Sequence, residues 1–171
     1  GYIWYLLLQP GRGILFTVFD RMGHPEWFGN WMGSYTTTMI VLVLVNVWQY
    51  AGMTMIIYLA GLQNISQDLY EAAMIDGAGT FARFRRITLP LLIPSIRINV
   101  ITNIIGSLSV FDIVMSLTGG GPGYQTETLS IYIMRMCYGS KTGYSTAVAI
   151  VMFVIVLVPV LISLRLMKRK D

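Results

Sequence analysis

Two long stretches of this 171-residue chain carry no charged residue, one from Trp27 to Gln67 and one from Thr142 to Leu164. Each exceeds the roughly 20 apolar residues that an α-helix needs to cross the hydrocarbon core of a bilayer. Over the whole chain 12% of the residues are charged, which is about half the charged fraction of an ordinary soluble domain. The sequence therefore predicts an all-α membrane protein.

Three full membrane spans are predicted at roughly 34–62, 93–117 and 144–166, after the end of a preceding helix at Tyr2 to Leu8. The middle span carries Arg97 near one end and Asp112 near the other. At such positions a long side chain can snorkel to the interface and a carboxylate can meet an aqueous cavity. Because the first residues read as a helix cut off before its start, we expect this chain to be part of one larger membrane domain.

Lysine and arginine indicate the orientation of the spans. They cluster between the first two spans, at Arg83, Arg85 and Arg86, and after the last span, at Arg165, Lys168, Arg169 and Lys170. Cytoplasmic segments carry an excess of these residues. We therefore expect the loop at 63–92 and the C-terminus in the cytoplasm. This topology accounts for the net charge of +4, so the charge gives no reason to expect a nucleic-acid partner.

The chain offers little for catalysis. Its single Cys137 and single His24 cannot supply a metal cluster or a disulfide, and no nucleophile, base and orienting group can be assembled. The Walker A pattern for nucleotide phosphates is absent from the sequence. The glycine-rich run from Thr118 to Gly123 is not followed at once by a helix start, so we interpret it as an external turn. We expect no catalytic residue, no metal and no cofactor, and therefore no enzyme.

The loop at 63–92 is a polar and basic island between apolar segments, and local rules predict its structure. Ser66 is a good N-cap and Asp68 complements a helix N-terminus, so a helix should start near Gln67. The helix should end near Asp76, because Gly77 can adopt the left-handed conformation that closes a helix.

The second half of the loop contains signals for another helix and for a break. Thr80 can cap a second helix, and Pro90 and Pro94 interrupt the backbone where the chain re-enters the membrane. The predicted result is a cytoplasmic helix-turn-helix.

The spacing of this loop resembles the EAA loop in the transmembrane permease subunits of bacterial binding-protein-dependent ABC importers. The resemblance rests on seven anchor positions, Glu71, Ala72, Ala73, Gly77, Ile87, Leu89 and Pro90. Small residues often serve only close packing, and a glycine often does no more than end a helix. That alternative would make the spacing of all seven positions a coincidence. In that family the loop is a coupling helix in a cleft of the ATP-binding subunit. The resemblance implies a polar contact for Glu71, close approach for the alanines and the bend for Gly77.

Other stretches resemble the permeases of multiple-sugar and maltose-type importers, namely Phe111 to Pro122, Thr126 to Leu129, and Gly143 with Tyr144. The resemblance implies the type I ABC importer permease fold, the bacterial cytoplasmic (inner) membrane and a carbohydrate as the solute. Such permeases usually have about six spans and act as one half of a pseudosymmetric pair, so this chain, with three predicted spans, would be the C-terminal half of one subunit. The implied partners are an ATP-binding subunit, a second permease subunit, an extracytoplasmic solute-binding protein and membrane lipid.

Polar residues follow one face of two predicted spans. On the second span Asn99, Asn103 and Ser107 recur every four residues. Unpaired amides in hydrocarbon are costly, so these side chains should either hydrogen-bond between helices or face a wet pathway. In maltose-type permeases the matching stretches line the sugar site. Position by position, this implies the pathway residues Asn46, Gln49, Tyr50, Met53, Asn103, Ser107 and Val110. Tyr50 and Val110 depart from the maltose-type pattern, so the sugar stays open.

Other functions remain compatible with parts of the pattern. An importer permease for a non-sugar solute would share the loop. A secondary transporter or channel would explain the polar faces, but we would then expect ionisable relays inside the membrane, for which Asp112 is the candidate. A membrane scaffold would explain the spans and leave the loop spacing unexplained.

Overall fold

The computed structural model describes residues 1–24, 26 and 30–168. These residues form helices and their connections, with no β-strand among them, which confirms the all-α prediction. Arg169, Lys170 and the side chain of Lys168 lie outside the described part. In chain order the helices are α1 (Tyr2–Leu8), α2 (Ile14–Arg21), α3 (Tyr35–Gln63), α4 (Gln67–Ile75), α5 (Thr80–Arg83), α6 (Leu89–Leu91), α7 (Ile93–Leu108), α8 (Asp112–Leu117), α9 (Leu129–Tyr138) and α10 (Thr142–Lys168), with a 3₁₀ turn at Trp31–Gly33 and a π-helical turn at Phe84–Thr88.

Among the described residues, two helices are long and apolar enough to cross a membrane, α3 with 29 residues and α10 with 27 residues. They coincide with the predicted segments 34–62 and 144–166 to within about two residues at each end. No residue in the most apolar window of α10 is buried within the chain. A helix that is apolar on all sides requires an apolar solvent around it, and lipid supplies one. Pro159 lies inside α10 without ending the helix.

The predicted span from 93 to 117 is not one helix in the structure. Helix α7 ends at Leu108, and α8 begins at Asp112 after Phe111, whose φ of −134° and ψ of −59° are not helical. Further upstream, Thr80–Leu91 and Ile93–Leu108 meet at a bend of 62°, and by length and composition together they fit either a broken span or a re-entrant loop. Pro90 and Pro94 explain this bend. A proline has no backbone N–H to donate, and its ring clashes with the carbonyl four residues before it.

The chain divides into two compact units, Gly1–Trp48 with Ser107–Val156 and Gln49–Gly106 with Leu157–Asp171. The first unit has an apolar core. The buried side chains of this core come from α1, α3, α8, α9 and the 3₁₀ turn, and they are Leu8, Trp31, Leu42, Val45, Ile113, Val114, Leu117 and Ile131.

Trp31 joins the N-terminal segment of the first unit to the start of α3. Its indole Nε1 donates to the carbonyl of Leu8 at 2.5 Å, and its own carbonyl accepts from the Thr38 hydroxyl at 3.1 Å. Thr38 is fully buried and Trp31 nearly so. Each polar atom in these two bonds therefore has a partner, as buried polar groups require.

In the second unit, α7 packs closely on α3 and is bonded to the end of α10. A Cβ atom on Gly61 of α3 would lie 2.1 Å from the Ser95 hydroxyl oxygen, so a glycine is needed for this approach. The guanidinium of Arg97 donates to the carbonyl of Met167. A cation near the last carbonyls of a helix is favourable. The Arg97 guanidinium therefore binds a carbonyl near the end of α10. The sequence analysis had predicted only that this side chain could snorkel to the membrane interface.

Candidate functional site

The helix predicted to start near Gln67 is α4, and its first turn is capped as expected. Ser66 has extended backbone angles, and its hydroxyl oxygen accepts from the backbone N–H of Asp68 at 3.3 Å. The same hydroxyl donates to the Asp68 carboxylate at 3.1 Å. Asp68 also places a negative charge in the first turn, where the helix dipole favours it.

Helix α4 ends at Ile75, and Gly77 makes the turn that follows. The φ of Gly77 is +75°. The backbone N–H of Gly77 donates to the carbonyl of Met74 at 3.0 Å, and that of Ala78 donates to the carbonyl of Ala73 at 2.8 Å. This pair of bonds is the Schellman closure of a helix. No atom lies within 4 Å of the position of a Cβ on Gly77, so the glycine is needed for its backbone conformation and not for space.

The second helix starts one residue differently from the prediction. Gly79 occupies the N-cap position, and Thr80 is the first helical residue. The Thr80 hydroxyl does not cap the helix and accepts from Arg83 Nη2 at 3.4 Å.

A π-helical turn follows, in which the backbone N–H of Leu89 reaches the carbonyl of Phe84. Pro90 explains this widening, because its ring cannot fit against the carbonyl of Arg86 in a regular α-helix.

The seven predicted coupling residues are distributed over α4, the turn at Gly77, the π-helical turn and α6. Most are exposed, and Ala73 and Ile87 are half-buried. The exposed members are Glu71, Ala72, Gly77, Leu89 and Pro90.

Apolar side chains that the sequence analysis did not single out also lie on the loop. Ile75 is 87% exposed and Phe81 is 74% exposed, with Met74 and Phe84 each at 50%. Their signal in the sequence is the presence of large apolar residues within an otherwise polar and basic island. We call Met74, Ile75, Phe81 and Phe84 the loop apolar patch.

The predicted amides on α7 make hydrogen bonds to α3 in the second unit. Asn99 is 2% exposed, and its Nδ2 donates to the carbonyl of Thr54 at 3.3 Å. Nδ2 of Asn103 donates to the Thr54 hydroxyl at 3.3 Å and to the carbonyl of Asn99 at 2.8 Å. Hydrogen bonding between helices is thus an observed use of these amides. Asn103 is nevertheless exposed, which leaves part of its surface accessible to a solute.

The other predicted pathway residues of the second unit lie on α3. The ring of Tyr50 packs on Gly106, because a Cβ at Gly106 would lie 3.2–3.4 Å from that ring. Gln49 and Met53 are exposed.

The remaining three predicted pathway residues belong to the first unit. Asn46 is half-buried, and its side-chain oxygen is buried without a hydrogen-bond partner among the described residues. Ser107 is exposed, and Val110 packs against the apolar core.

The glycine-rich turn after α8 is held by hydrogen bonds. Thr126 is 4% exposed, and its hydroxyl donates to the carbonyl of Gly121 at 2.6 Å and bonds the Thr118 hydroxyl at 2.9 Å. The backbone N–H of Gly120 donates to the Thr118 hydroxyl. The backbone amides of Gly119, Gly120 and Gly121 therefore have partners within the chain, which agrees with the turn interpretation and not with a phosphate loop.

An ion pair with aromatic neighbours follows this turn. Arg135 Nη2 donates to the Glu127 carboxylate at 2.8 Å, and the guanidinium lies 4.1 Å from the centre of the Tyr124 ring and 5.4 Å from that of Tyr132. Tyr132 donates to the hydroxyl of Tyr144 at 3.4 Å. This hydrogen bond, together with burial, raises the pKa of the Tyr132 hydroxyl above its ordinary value.

Residues 3–170 match the family described as the binding-protein-dependent transport system inner membrane component. The chain belongs to this family. Since the family consists of transport permeases and the described part of the chain includes two helices that can span a bilayer, this inner membrane component is a multi-pass membrane protein.

The relatives of this inner membrane component include several sugar permeases. The trehalose/maltose transport system permease protein MalF of Thermococcus litoralis is 42% identical, with 90% of this chain and 52% of the relative covered. The sulfoquinovosyl glycerol transport system permease protein SmoG of Agrobacterium fabrum is 39% identical, with 100% of this chain and 55% of the relative covered. The chain thus spans about half the length of these curated relatives.

A solved structure supports the fold. In a bacterial ABC transporter involved in the import of the acidic polysaccharide alginate, one chain superposes with a TM-score of 0.80 at 28% identity. The match covers 97% of this inner membrane component and 58% of that chain. This likeness confirms the prediction of the type I importer permease fold.

Proposed function

We propose that this chain is part of a permease subunit of an ATP-driven carbohydrate importer. In this proposal it forms part of the translocation pathway. The loop at 63–92 transmits the conformational change of the ATP-binding subunit to the membrane helices. The observation that carries the proposal is the loop apolar patch. Ile75 is 87% exposed at the end of the capped helix α4, which also carries Glu71, and Phe81 is 74% exposed on α5. Large apolar side chains exposed together on one short polar loop are suited to a protein–protein contact.

The proposed partner at this surface is an ATP-binding subunit. The sequence has no Walker A pattern of its own, so a separate subunit binds and hydrolyses ATP, and this chain does not catalyse the reaction. Glu71 would supply a polar contact, the exposed face of Ala72 would allow close approach, and the turn at Gly77 would fix the direction of the chain. A second permease subunit and an extracytoplasmic solute-binding protein complete the proposed assembly.

A carbohydrate is the proposed solute. The relatives and the solved structure are named for trehalose/maltose, sulfoquinovosyl glycerol, lactose and alginate. The proposed pathway residues include amides and hydroxyls, which can donate to and accept from sugar hydroxyl groups. The proposed pathway comprises Asn46, Gln49, Tyr50, Met53, Asn103, Ser107 and Val110, of which Gln49, Met53, Asn103 and Ser107 are exposed.

The proposed topology follows the basic residues. The loop with Arg83, Arg85 and Arg86 and the C-terminal end of α10 lie in the cytoplasm. The glycine-rich turn and the Glu127–Arg135 pair then lie on the opposite side of the cytoplasmic membrane, where a solute-binding protein delivers its cargo.

Reconstitution tests this function. The full-length permease, its second permease subunit and the ATP-binding subunit are assembled in proteoliposomes with the binding protein outside. Uptake of radiolabelled maltose, trehalose and lactose is measured with and without internal ATP. We expect uptake of at least one of these sugars that requires ATP and the ATP-binding subunit. Uptake driven by an ion gradient without that subunit would contradict the proposal, as would ATP-driven uptake restricted to a non-sugar solute.

A further inference from the structure

Helix α4 has little packing to hold it in place. It is nine residues long, and none of its residues is buried. The cap at Ser66 and the closure at Gly77 define where the helix begins and ends. Both sets of bonds lie within α4 and its flanking residues, so they stabilise the helix without setting its angle to the rest of the chain.

A side-chain hydrogen bond joins α4 to the segment that re-enters the membrane. The hydroxyls of Tyr70 and Thr88 are hydrogen-bonded at 2.8 Å across 18 positions of sequence, and the bond is partly buried. Tyr70 lies on the first full turn of α4, and Thr88 is the last residue of the π-helical turn. A partly buried bond between two hydroxyls excludes some of the competing water, which strengthens its electrostatic part.

The position of Thr88 makes this contact mechanically useful. The π-helical turn lies within Thr80–Leu91, the arm that meets Ile93–Leu108 at the 62° bend. A displacement of α4 is passed to that arm only if the two move together. The backbone turn at Gly77 also connects α4 to that arm, but its two closing bonds go back to α4 itself and no atom lies within 4 Å of the position of a Cβ on Gly77.

We propose that Tyr70 is a positioning residue that locks α4 to the π-helical turn through Thr88, so that the loop moves as one rigid lever. This inference rests on the proposed coupling function for its consequence, whereas the lock itself is a property of the chain. Removing either hydroxyl leaves α4 folded and lets its angle vary. Transport then decreases relative to ATP hydrolysis, because part of the motion of α4 no longer reaches the bend.

Pulsed electron–electron distance measurements test the lock directly. Spin labels are attached to Gln67→Cys at the start of α4 and to Ile98→Cys on α7, both at exposed positions, in a Cys137→Ser background. The full-length chain is measured in lipid nanodiscs together with its partner subunits. We expect a narrow distance distribution for the parent protein and a broader one for Tyr70→Phe and for Thr88→Val, each of which loses one hydroxyl and keeps its size.

Conservative and double variants separate the lock from a general loss of structure. Thr88→Ser retains the hydroxyl and should restore the narrow distribution. The double variant Tyr70→Phe/Thr88→Val should be no broader than either single variant, because both changes remove the same bond. Tyr138→Phe, at a tyrosine that is 85% exposed, is the control for loss of a phenol hydroxyl. A narrow distribution in both Tyr70→Phe and Thr88→Val overturns the lock.

The functional arm uses the ratio of sugar uptake to ATP hydrolysis in the reconstituted complex. For Tyr70→Phe and Thr88→Val we expect this ratio to decrease roughly two- to tenfold, the range given by the loss of one ordinary hydrogen bond. Thr88→Ser should keep the parent ratio. An unchanged ratio in both hydroxyl-deleting variants overturns the lever. Absence of ATP-driven uptake in the parent complex contradicts the proposed function instead. In that case the distance measurement alone decides whether the lock exists.

Discussion

Asn103 of α7 donates its side-chain amide to the hydroxyl of Thr54 on α3 at 3.3 Å. The same amide group reaches the carbonyl of Asn99, one turn earlier on its own helix, at 2.8 Å. Asn99 is buried, whereas Asn103 is exposed. The two amides therefore share a neighbour and differ in accessibility, which allows their structural and transport roles to be separated by substitution.

Asn99→Ala should lower the stability of the permease. The substitution removes a buried hydrogen bond to the Thr54 carbonyl and leaves space at a position that is 2% exposed. We expect a loss of about 0.5–1.5 kcal/mol from the hydrogen bond, with a further contribution from the space left behind. Thermal unfolding of the purified complex measures this loss. Asn64→Ala, at an exposed position after α3, is the matched control, and equal melting temperatures for the two variants would refute the structural role.

Asn103→Ala should reduce sugar uptake at limiting substrate. If a sugar hydroxyl hydrogen-bonds to this exposed amide in place of water, loss of the amide costs about 0.5–1.5 kcal/mol of binding free energy. Initial rates are compared at matched expression with the binding protein present. Ile105→Ala, at a side chain that is 43% exposed on the same helix, should transport normally. Normal uptake by Asn103→Ala would limit this amide to its bond with Thr54 and remove it from the pathway.

Gly77→Ser should weaken the assembly of the permease with the ATP-binding subunit. The φ of +75° is strained for any residue with a Cβ, at a cost of about 1–2 kcal/mol. Gly79→Ser is the matched control, because Gly79 has a φ of −67° at a helix N-cap, where serine is favoured. Co-purification of the subunits measures assembly, and the amount of permease in the membrane should be the same for both variants. If Gly77→Ser retained full assembly, the strained turn would not be needed for the partner contact.

Arg135→Ala should destabilise the segment after the glycine-rich turn. The side chain of Glu127 is 10% exposed and loses its partner at 2.8 Å. A charged group left buried without a hydrogen bond costs about 1–3 kcal/mol or more. Limited proteolysis of the reconstituted complex measures exposure of this segment. Adding Glu127→Gln to Arg135→Ala should recover most of the protection, since the unpaired charge is gone, and a lack of recovery would contradict this explanation.

The helical structure of the loop at 63–92 was predictable because its determinants are local. Ser66 caps α4 through the residue two positions later, and Gly77 closes it through bonds to the preceding turn. The same reasoning placed the cap of the second helix one residue too late, because Gly79 and Thr80 are both acceptable in that position by local rules.

The break after α7 was not predictable from local signals. The interrupted residues 109–111 contain neither glycine nor proline, and the carbonyl of Ser109 accepts from the hydroxyl of Ser130, 21 positions later. The partner of the amides on α7 was not predictable either. The spacing of Asn99 and Asn103 predicted that they share one face of the helix, but it contains no information that Thr54 lies opposite them. Both features involve contacts between residues far apart in the sequence, which local signals do not contain.

Photo-cross-linking measures directly whether the loop at 63–92 touches the ATP-binding subunit. Benzoylphenylalanine is introduced at Ile75, which is 87% exposed on the loop, or at Tyr138, which is 85% exposed at the end of α9. The full-length permease is expressed in cells with all of its partner subunits and irradiated. We predict an adduct between the ATP-binding subunit and position 75, and none at position 138. An adduct at position 138 with none at position 75 would contradict both the proposed topology and the coupling role of the loop.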